Sequence, residues 1–597
     1  MDKPQGTRRR KARRRVMVLL VLCCAVFALF LARLAWLQFA MADHYAQKMA
    51  EAGSASYTLP QHAARGAITD RSGTVLAQDE TVYDVYLRVP APPGTNLRET
   101  VNTIETLTGG KDVETQLAAF CSAVSAGELP VTQGLDSIGA AAYYRAGLVQ
   151  NGAVRLAARG VRRWPDGTIL PHTLGFTGPI TAEQWPAARA QGLAMDATIG
   201  QNGLEAAYDT LLRGRDGQLQ INVGLDGVTR EAVQTSTPVP GCTLVLTLDA
   251  DLQKTLQTAL QNQMDTLRTT KGIGAGREVR AGAAVVVDVR TGGILAAVSL
   301  PDFDLSRYRS DYTALSADSA APLLDRVCQG LYAPGSAFKP AVAAAALTAG
   351  IDPAATVNCT GKYFYYSNYH PGCLQYGHRG PVDLRTALEY SCNIFFYDTG
   401  RRLGVDTFSA MARQLGLAND TGVEITAAQG RLTWSTDTNY QDGLTLMAAI
   451  GQGNTAVTPL QLAQYAAALA NYGRKPTLHF ADRAVQPATG AAVWQYEPAF
   501  TEIPGGEAVF GPIRDGMKRM AQTARALREA PVTVAAKTGS PQLADTLPGG
   551  SHYVNSVLIG YAPADDPQIA MAVVLEYGGG GANAAPVMRA VLDAWFK

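Results

Sequence analysis

Hydrophobic side chains form one long uninterrupted stretch near the start of the chain, VMVLLVLCCAVFALFLARLAWLQF at residues 16–39. A helix rises about 1.5 Å per residue, so this stretch is long enough to cross the roughly 30 Å hydrocarbon core of a bilayer. The side chain of Arg33 has to extend its charged end towards the interface. The pattern therefore predicts a single transmembrane helix over residues 16–39.

Apolar patterns in the second half predict a sheet covered by helices. CTLVLTLDADLQKTLQTAL (242–260) is typical of a strand followed by an amphipathic helix, and AGAAVVVDVRTGGILAAVSLP (281–301) of two strands joined at Thr-Gly-Gly. VTVAAKTGS, NSVLIGYAP and QIAMAVVLEY predict three more strands near the C-terminus. Since helical patterns separate the pair from the trio, we expect an antiparallel sheet covered by helices, in an α+β domain over 241–597.

A polar, helical-looking stretch, MADHYAQKMAEAGSAS, links the apolar helix to the body, and residues 57–240 mix short strand-like and helical segments without a motif of recognisable chemistry. The stretch DGVTREAVQTSTPVPG (226–241) ends in Pro-Val-Pro-Gly, which interrupts any helix or strand. We therefore predict a separate non-catalytic domain of mixed α/β structure over 40–240.

Charge changes the picture at the N-terminus. The first fifteen residues carry eight basic side chains and one acidic side chain, whereas the whole 597-residue chain has a net charge of +1. Subtracting the +7 of this basic tip (1–15) leaves about −6 for the rest, which argues against a nucleic-acid-binding body. The positive-inside rule predicts a cytoplasmic tip and an extracytoplasmic body after residue 40. A signal peptide cleaved after the AMA at 40–42 is the alternative.

In YAPGSAFKP (332–340), Pro334-Gly335 marks a turn, so Ser336 is expected in the first turn of an alanine-rich helix that extends to Thr348, with Lys339 three residues after it. Residues i and i+3 share a helix face, so a neutral lysine there could take the proton of the serine hydroxyl and activate it as a nucleophile. Backbone N–H groups at the helix start favour negative charge nearby. Ser-x-x-Lys is common by chance, and a capped helix with a surface lysine is the simpler interpretation.

Two further motifs follow in order. EYSCNIFFYDTG holds Ser391, Cys392 and Asn393 where two helical patterns meet, and AAKTGSPQ holds Lys-Thr-Gly-Ser (537–540) at a strand end. Alone, the first fits helix capping and the second an edge strand. Together, Ser-x-x-K, Ser-x-Asn and Lys-Thr-Gly match the motif set of penicillin-binding proteins and class A β-lactamases.

On these motifs, the chain resembles a class B, monofunctional penicillin-binding protein, a membrane-anchored peptidoglycan D,D-transpeptidase. The resemblance extends over nearly the whole chain. It includes these stretches: RGAITDRSGTVLA (65–77), RRWPDGTILPHTLGFTG, IGQNGLEAAYDTLLRGRDG, TLDADLQ, GQGNTAVTPLQLAQYAAALANYGR and YGGGGANAAPVMR. It implies a penicillin-binding transpeptidase domain preceded by an anchor and a pedestal domain. Ser540 stands where threonine is common in the family, and this exchange keeps the hydroxyl.

The resemblance also implies catalytic roles. Ser336 would attack the carbonyl between the two terminal D-alanines of a stem peptide, with Lys339 as its general base. Ser391 would pass the proton to the leaving D-alanine, and Asn393 would hold the amide of the substrate. An amine from a neighbouring stem peptide would then take the acyl group, whereas a β-lactam would acylate Ser336 and remain attached.

The third motif is implied to bind the substrate. Lys537 would sustain a positive field, Thr538 and Ser540 would bind the terminal carboxylate, and Gly539 lies between them. The backbone N–H groups of Ser336 and Ser540 would form the oxyanion hole. No cofactor is required for this chemistry.

Several alternatives stay open at this point. A β-lactam sensor would need a signalling region, but the predicted cytoplasmic part is only about fifteen residues. A D,D-carboxypeptidase or a β-lactamase needs only water as the acceptor, and acceptor choice is not visible in the sequence. A bifunctional class A enzyme is disfavoured, because residues 40–240 contain no glycosyltransferase-like region. The expected partners are stem peptides, β-lactams, the membrane, a polytopic glycan polymerase and other cell-wall proteins, for elongation, division or sporulation.

Three of the eight cysteines form a pattern with a histidine. Cys359, Cys373, His378 and Cys392 are spaced C-x13-C-x4-H-x13-C between the first two motifs, and His370 is a spare candidate. Thiolates and an imidazole are the ligands that structural zinc prefers. The resemblance lends support, since some elongation-type relatives look to carry metal ligands at comparable spacings, with aspartates at the first two. The alternatives are a disulfide between the first two cysteines, or buried thiols without a metal.

Overall fold

The computed structural model describes residues 6–42, 44, 55–124, 127–195, 197–223, 229–272, 274–373, 378–548 and 550–597. The chain divides into two compact units, one of residues 1–63 and 215–239 and the other of residues 64–214 and 240–597. The first five residues of the predicted basic tip lie outside the described residues.

Strands and helices are numbered separately in chain order. The strands are β1 (Ala55–Gln61), β2 (Ile68–Thr69), β3 (Val75–Val89), β4 (Gly127–Leu135), β5 (Val154–Arg163), β6 (Thr177–Pro179), β7 (Thr198–Gly200), β8 (Gly217–Val223), β9 (Thr229–Ser236), β10 (Thr243–Leu246), β11 (Gly282–Asp288), β12 (Ile294–Leu300), β13 (Val357–Cys359), β14 (Gly380–Val382), β15 (Arg474–Pro476), β16 (Ala481–Val485), β17 (Ala492–Gln495), β18 (Phe500–Glu502), β19 (Ala535–Gly539), β20 (Gln542–Thr546), β21 (His552–Val554), β22 (Ser556–Ala562) and β23 (Ile569–Leu575). The helices are α1 (Gly6–Ala35), α2 (Leu97–Leu107), α3 (Val113–Ala123), α4 (Ser137–Arg145), α5 (Pro171–Leu174), α6 (Trp185–Ala190), α7 (Gly203–Ala207), α8 (Asp209–Leu212), α9 (Ala250–Arg268), α10 (Tyr308–Ala317), α11 (Lys339–Thr348), α12 (Leu384–Glu389), α13 (Asn393–Leu403), α14 (Val405–Gln414), α15 (Asp442–Ala449), α16 (Pro459–Ala470), α17 (Gly506–Thr523), α18 (Arg525–Arg528) and α19 (Ala585–Trp595).

The first unit contains helix α1 and a three-stranded antiparallel sheet in the order β1-β8-β9. A π-helical turn, Trp36–Ala40, continues α1. Residues 13–40 form a helix that is long and apolar enough to cross a membrane. Their large apolar side chains are exposed. The structure therefore agrees with the helix predicted over 16–39.

In the second unit, the fifteen-residue strand β3 organises the segment between residues 64 and 214. It pairs with β2, β4 and β5, and a small core forms where this sheet meets helices α2, α3 and α4. Residues such as Val85, Leu87 and Ile104 fill that core. Strand β2 also pairs in parallel with β10, so the sheet continues through β10 and β16 to β17.

A buried ion network lies beside β3. The carboxylate of Glu205 is fully buried and accepts hydrogen bonds from Arg65 Nε and Arg162 Nε, both at 2.6 Å. Arg65 also donates to Asp209 at 2.7 Å. Ion pairs removed from water stabilise only when each charge keeps its partners, so this network depends on Glu205.

The C-terminal sheet has the strand order β12-β11-β23-β22-β19, and every neighbouring pair is antiparallel. Side chains alternate between two cores along β11: Val285 and Val287 face one, and Ala284 and Val286 the other. Helices α11 and α16 contribute to the first core, and α9 and α19 to the second. Because both faces are covered, the strands read as continuous apolar runs. The predicted α+β arrangement is confirmed, including both strand groups.

Candidate active site

Ser336 lies in a 3₁₀ turn, Gly335–Phe338, immediately before helix α11. The sequence pattern predicted Ser336 in the first turn of the α-helix, but the α-helix begins at Lys339. Gly335 has a φ of +56°, and a Cβ added there would lie 2.9 Å from Pro541 and 3.2 Å from the backbone nitrogen of Ser540. This left-handed turn against the third motif therefore requires glycine.

Lys339 is fully buried and donates three hydrogen bonds into the second motif. Its Nζ lies 2.7 Å from the carbonyl oxygen of Ser391, 3.0 Å from Ser391 Oγ and 2.7 Å from Asn393 Oδ1. Burial lowers the pKa of Lys339 to about 7, against the weaker opposing effect of the Cys392 and Cys373 thiols. At neutral pH the amine is therefore available as a base.

Ser391 lies between helices α12 and α13 with a φ of +56°, a strained conformation for a residue with a side chain. Such strain costs about 1–3 kcal/mol and concentrates at functional sites. Lys537, also fully buried, donates to the same Ser391 Oγ at 3.0 Å. Burial, followed by the charge of Lys339, lowers the pKa of Lys537. One hydroxyl therefore bridges two amino groups and can relay a proton.

Asn393 is the first residue of helix α13, and its amide is held from both sides. Its Oδ1 accepts from Lys339, and its Nδ2 donates to the carbonyl oxygen of Gly372 at 3.1 Å. The amide therefore has a fixed orientation beside the two lysines. The sequence did not indicate the contact with Gly372.

The third motif forms the end of strand β19 and crosses the serine turn. A Cβ at Gly539 would lie 2.2 Å from the carbonyl oxygen of Pro334, so no side chain fits at this crossing. Thr538 is partly exposed and Ser540 is exposed. The hydroxyl of Ser540 accepts a hydrogen bond from the backbone N–H of Gly581 at 2.8 Å. Sequence reasoning missed Gly581 as a contact, although the run of four glycines there is an unusual signal.

Two known protein domain families match this chain. Residues 282–593 match the penicillin-binding protein transpeptidase domain, and residues 60–246 match the penicillin-binding protein dimerisation domain. The chain belongs to the class B penicillin-binding proteins.

Individual relatives cover most of this penicillin-binding protein. The peptidoglycan D,D-transpeptidase MrdA of Acinetobacter baumannii is 29% identical, over 96% of this chain and 86% of the relative. A solved structure described as the structural coordination of polymerization and crosslinking by a peptidoglycan synthase complex has a TM-score of 0.73 and 28% identity, covering 97% of this chain and 98% of the other. The penicillin-binding protein PBP2 of Helicobacter pylori, in complex with MreC, shares the fold with a TM-score of 0.73, 23% identity, and coverage of 91% and 99%.

The cysteine pattern of this penicillin-binding protein forms a compact cluster in the structure. Cys359, Cys373, His378 and Cys392 are all buried, and their candidate ligand atoms lie within 4.8 Å of one another. The Nε2 atom of His378 is 3.7 Å from the Sγ of Cys359 and 3.6 Å from that of Cys373. A hydrogen bond with Cys373, and then burial, raise the pKa of the Cys392 thiol. His370 lies outside this cluster: its ring packs on Phe364 at 4.9 Å.

The cluster lies beside the second motif. Cys359 ends strand β13 and pairs in register with Gly380 of β14, while Cys392 is the residue between Ser391 and Asn393. The four side chains therefore join the paired strands β13 and β14 to the second motif. Cys359 and Cys392 are free thiols in the structure, and the buried Nδ1 of His378 has no hydrogen-bond partner among the described residues.

Proposed function

We propose that this chain is a peptidoglycan D,D-transpeptidase that cross-links stem peptides through an acyl intermediate on Ser336. The observation that carries the proposal is the convergence of two buried lysines, Lys339 and Lys537, on the hydroxyl of Ser391 beside the serine turn. A buried base, a shared hydroxyl and a second cation are what acyl transfer to an anionic peptide end requires. The transpeptidase names of the relatives add support.

In the acylation step, the Ser336 oxygen attacks the carbonyl carbon between the two terminal D-alanines. Its proton passes to the neutral amine of Lys339, which a pKa of about 7 makes available. When the tetrahedral intermediate collapses, the C–N bond breaks. The leaving D-alanine takes the proton from Lys339 through the Ser391 hydroxyl, and Asn393 holds the peptide amide.

The third motif binds the donor. Lys537, Thr538 and Ser540 bind the terminal carboxylate beside Gly539, and the backbone N–H groups of Ser336 and Ser540 stabilise the oxyanion. The short approach of the Ser540 nitrogen to the serine turn supports this pairing. Burial and the charge of Lys339 lower the pKa of Lys537, and an arriving carboxylate counteracts this by stabilising the protonated form.

In the second step, the amine of a neighbouring stem peptide attacks the acyl-serine and closes the cross-link. Water as the acceptor would instead give a D,D-carboxypeptidase or a β-lactamase, and acylation without turnover would give a sensor. Purified full-length protein should be given a stem-peptide donor and an amine acceptor. We expect transfer to the amine to exceed release to water, and exclusive release to water would contradict a transpeptidase.

Ser336→Ala tests the nucleophile directly. We expect this variant to lose covalent labelling by penicillin and to keep the wild-type melting temperature, because the hydroxyl is partly exposed and small. Mapping of the labelled tryptic peptide in the wild-type protein provides the check. A label on Ser391 or Ser540 would show that the assignment is wrong.

The proposed arrangement in the cell follows from the N-terminal helix. The basic tip (1–15) lies in the cytoplasm, residues 16–39 cross the membrane, and the pedestal (40–240) and transpeptidase domain (241–597) lie outside. The solved complexes of relatives with MreC and within a peptidoglycan synthase support a glycan polymerase and other cell-wall proteins as partners. Protease added to permeabilised envelopes should reach the body, whereas a mature N-terminus at Asp43 would reveal signal cleavage.

Cys359, Cys373, His378 and Cys392 hold one structural Zn²⁺ in this proposal. Tetrahedral zinc with typical bond lengths separates a sulfur ligand from a nitrogen ligand by about 3.6 Å, close to the 3.6 and 3.7 Å seen here. The ion would stabilise the thiolate forms of the cysteines and fix the second motif against the β13–β14 pair. Its role is mechanical, and no step of the reaction passes through it.

Metal analysis of protein purified without chelator tests this site. We expect near-stoichiometric zinc, its loss in Cys392→Ser with a lower melting temperature, and its retention in the control Cys242→Ser, which lies outside the cluster. Metal-free protein with a Cys359–Cys373 cross-linked peptide in mass spectrometry would instead show the disulfide.

A further inference from the structure

Residues 361–373, which we name the aromatic hairpin, expose several aromatic rings near the active site. Phe364 is 62% exposed, Tyr365 58% and Tyr369 38%. The ends of the hairpin are closed by backbone hydrogen bonds, from the N–H of Tyr363 to Pro371 and from the N–H of Cys373 to Gly361. Large rings gain free energy when they leave water, so a cluster of exposed rings indicates a binding surface.

The exposed ring of Tyr365 and the base of the hairpin are held in a fixed orientation by neighbouring side chains. Tyr365 stacks on the buried Tyr363, with ring centroids 6.3 Å apart, and the guanidinium of Arg401 lies 3.9 Å from the Tyr365 ring. The hydroxyl of Tyr363 donates to Asp398 at 3.0 Å and accepts from Arg401 Nε at 2.9 Å. A ring that is already oriented loses little conformational entropy when a ligand binds.

The aromatic hairpin is also joined directly to the catalytic residues. Asp398 and Arg401 belong to helix α13, which begins at Asn393. The carbonyl oxygen of Gly372, at the end of the hairpin, accepts from the Asn393 amide at 3.1 Å. A molecule lying on the hairpin is therefore adjacent to a substrate held by Asn393.

The composition of the surface indicates what it binds. Between the rings, the exposed side chains are Lys362, Ser367, Asn368 and His370, which offer hydroxyl, amide, imidazole and ammonium groups but no aliphatic surface. Flat rings edged by hydrogen-bonding groups complement a saccharide, whose ring has a C–H face bordered by hydroxyl and amide substituents. An apolar protein partner would match an aliphatic surface better.

We propose that the aromatic hairpin binds the glycan of the donor strand, stacking Phe364 and Tyr369 on the sugar rings to which the stem peptide is attached. This inference rests on the proposed function, since it concerns the substrate of the same site. The hairpin thereby selects stem peptides still attached to their glycan over free peptides. It acts on substrate binding and leaves the chemistry at Ser336 unchanged.

The test compares two donors, a free pentapeptide and the same pentapeptide on a disaccharide, with full-length protein and an amine acceptor. The measured quantity is the ratio of kcat/KM values for D-alanine release, together with the rate of acylation by penicillin. The variants are Phe364→Ala, Phe364→Leu, Phe364→Tyr and Tyr369→Ala. Tyr144→Ala is the matched control, because Tyr144 is 49% exposed in helix α4, away from the hairpin.

We expect the wild-type protein to favour the disaccharide donor. Each lost ring should reduce that preference by about two- to tenfold, in Phe364→Ala, Phe364→Leu and Tyr369→Ala. Phe364→Tyr and Tyr144→Ala should keep it, and penicillin acylation should be unchanged throughout. Retention of the preference in Phe364→Leu would favour a general apolar contact and overturn stacking on sugars.

Two other results would also overturn the inference. If a variant lost kcat/KM equally for both donors and also reacted more slowly with penicillin, the rings would only position Asn393. If the kinetics stayed unchanged but the variant no longer associated with a membrane protein, the surface would belong to that partner. If both donors turn over and the donor preference is the same in the wild-type protein and in the ring variants, this inference alone is refuted. No turnover of either donor by wild-type protein that still reacts with penicillin would refute the proposed function as well.

Discussion

The complete burial of Lys339 leads to a quantitative test of its role as the general base. Lys339→Arg keeps a positive charge at the site, but a guanidinium does not lose its proton in proteins. With a pKa of about 7, about half of the wild-type molecules hold a neutral amine at pH 7. A positioned general base contributes about 10²–10⁴-fold, so acylation of Ser336 by a fluorescent penicillin should slow by that factor.

The same pKa fixes the sign of the pH dependence. The base form of Lys339 grows as the pH rises, so the wild-type acylation rate should rise about tenfold per pH unit below pH 7 and level off above about pH 8. Stability follows the same direction. Because the lysine pKa is lowered by folding, the unfolded chain binds more protons between about pH 7 and its ordinary value of 10.5, and this group therefore favours folding more strongly as the pH rises through that window.

Two controls accompany this measurement. Lys254→Arg makes the same exchange at a side chain that is 57% exposed and should acylate at the wild-type rate. A melting curve shows whether Lys339→Arg is folded, because the guanidinium is larger than the ammonium in a site without solvent exposure. A folded Lys339→Arg that acylates at nearly the wild-type rate would refute the role of Lys339 as the base, and so would a wild-type rate that is constant from about pH 6 to pH 9.

Two further predictions concern packing. In Gly581→Ala, the new Cβ would lie 2.4 Å from the carbonyl oxygen of Gly539, so the end of β19 must shift. Penicillin acylation should therefore slow by about tenfold or more. The control variant Gly580→Ala, whose Cβ has open space around it, should acylate at close to the wild-type rate. Glu205→Gln leaves two buried arginines without their shared carboxylate and should lower the free energy of unfolding by about 3–5 kcal/mol in urea titrations, while the folded protein keeps its acylation rate.

The sequence predicted the elements that carry long apolar patterns. The patterns correctly placed strands β11 and β12 with their Thr-Gly-Gly turn. They also placed the strand that contains Lys537 and ends at Gly539. Strand β10 lies in the strand predicted at the start of the 242–260 stretch, but β2 spans only two residues, too short for a periodic signal, so the pairing of β2 with β10 across residue 240 was not visible.

Within the candidate site, the motifs identified the candidate side chains but not their mutual contacts. The hydrogen bonds from Lys339 and Lys537 to one hydroxyl depend on how three distant segments pack, which local spacing does not encode. The start of the helix differed as well. Gly335 takes a left-handed φ that turns the chain, and Ser336 therefore falls in a 3₁₀ turn before the α-helix rather than within it.

The strand order of the C-terminal sheet has a consequence for how the protein is made. Strands β11 and β12 are translated early, yet β11 pairs on its other side with β23, which follows it by almost the whole length of the domain. Until β23 leaves the ribosome, the nascent hairpin exposes an unpaired edge and two apolar faces, features that promote aggregation. Folding of the catalytic domain is therefore delayed until the chain is nearly complete, and truncation before Ile569 would leave an aggregating fragment rather than a smaller enzyme.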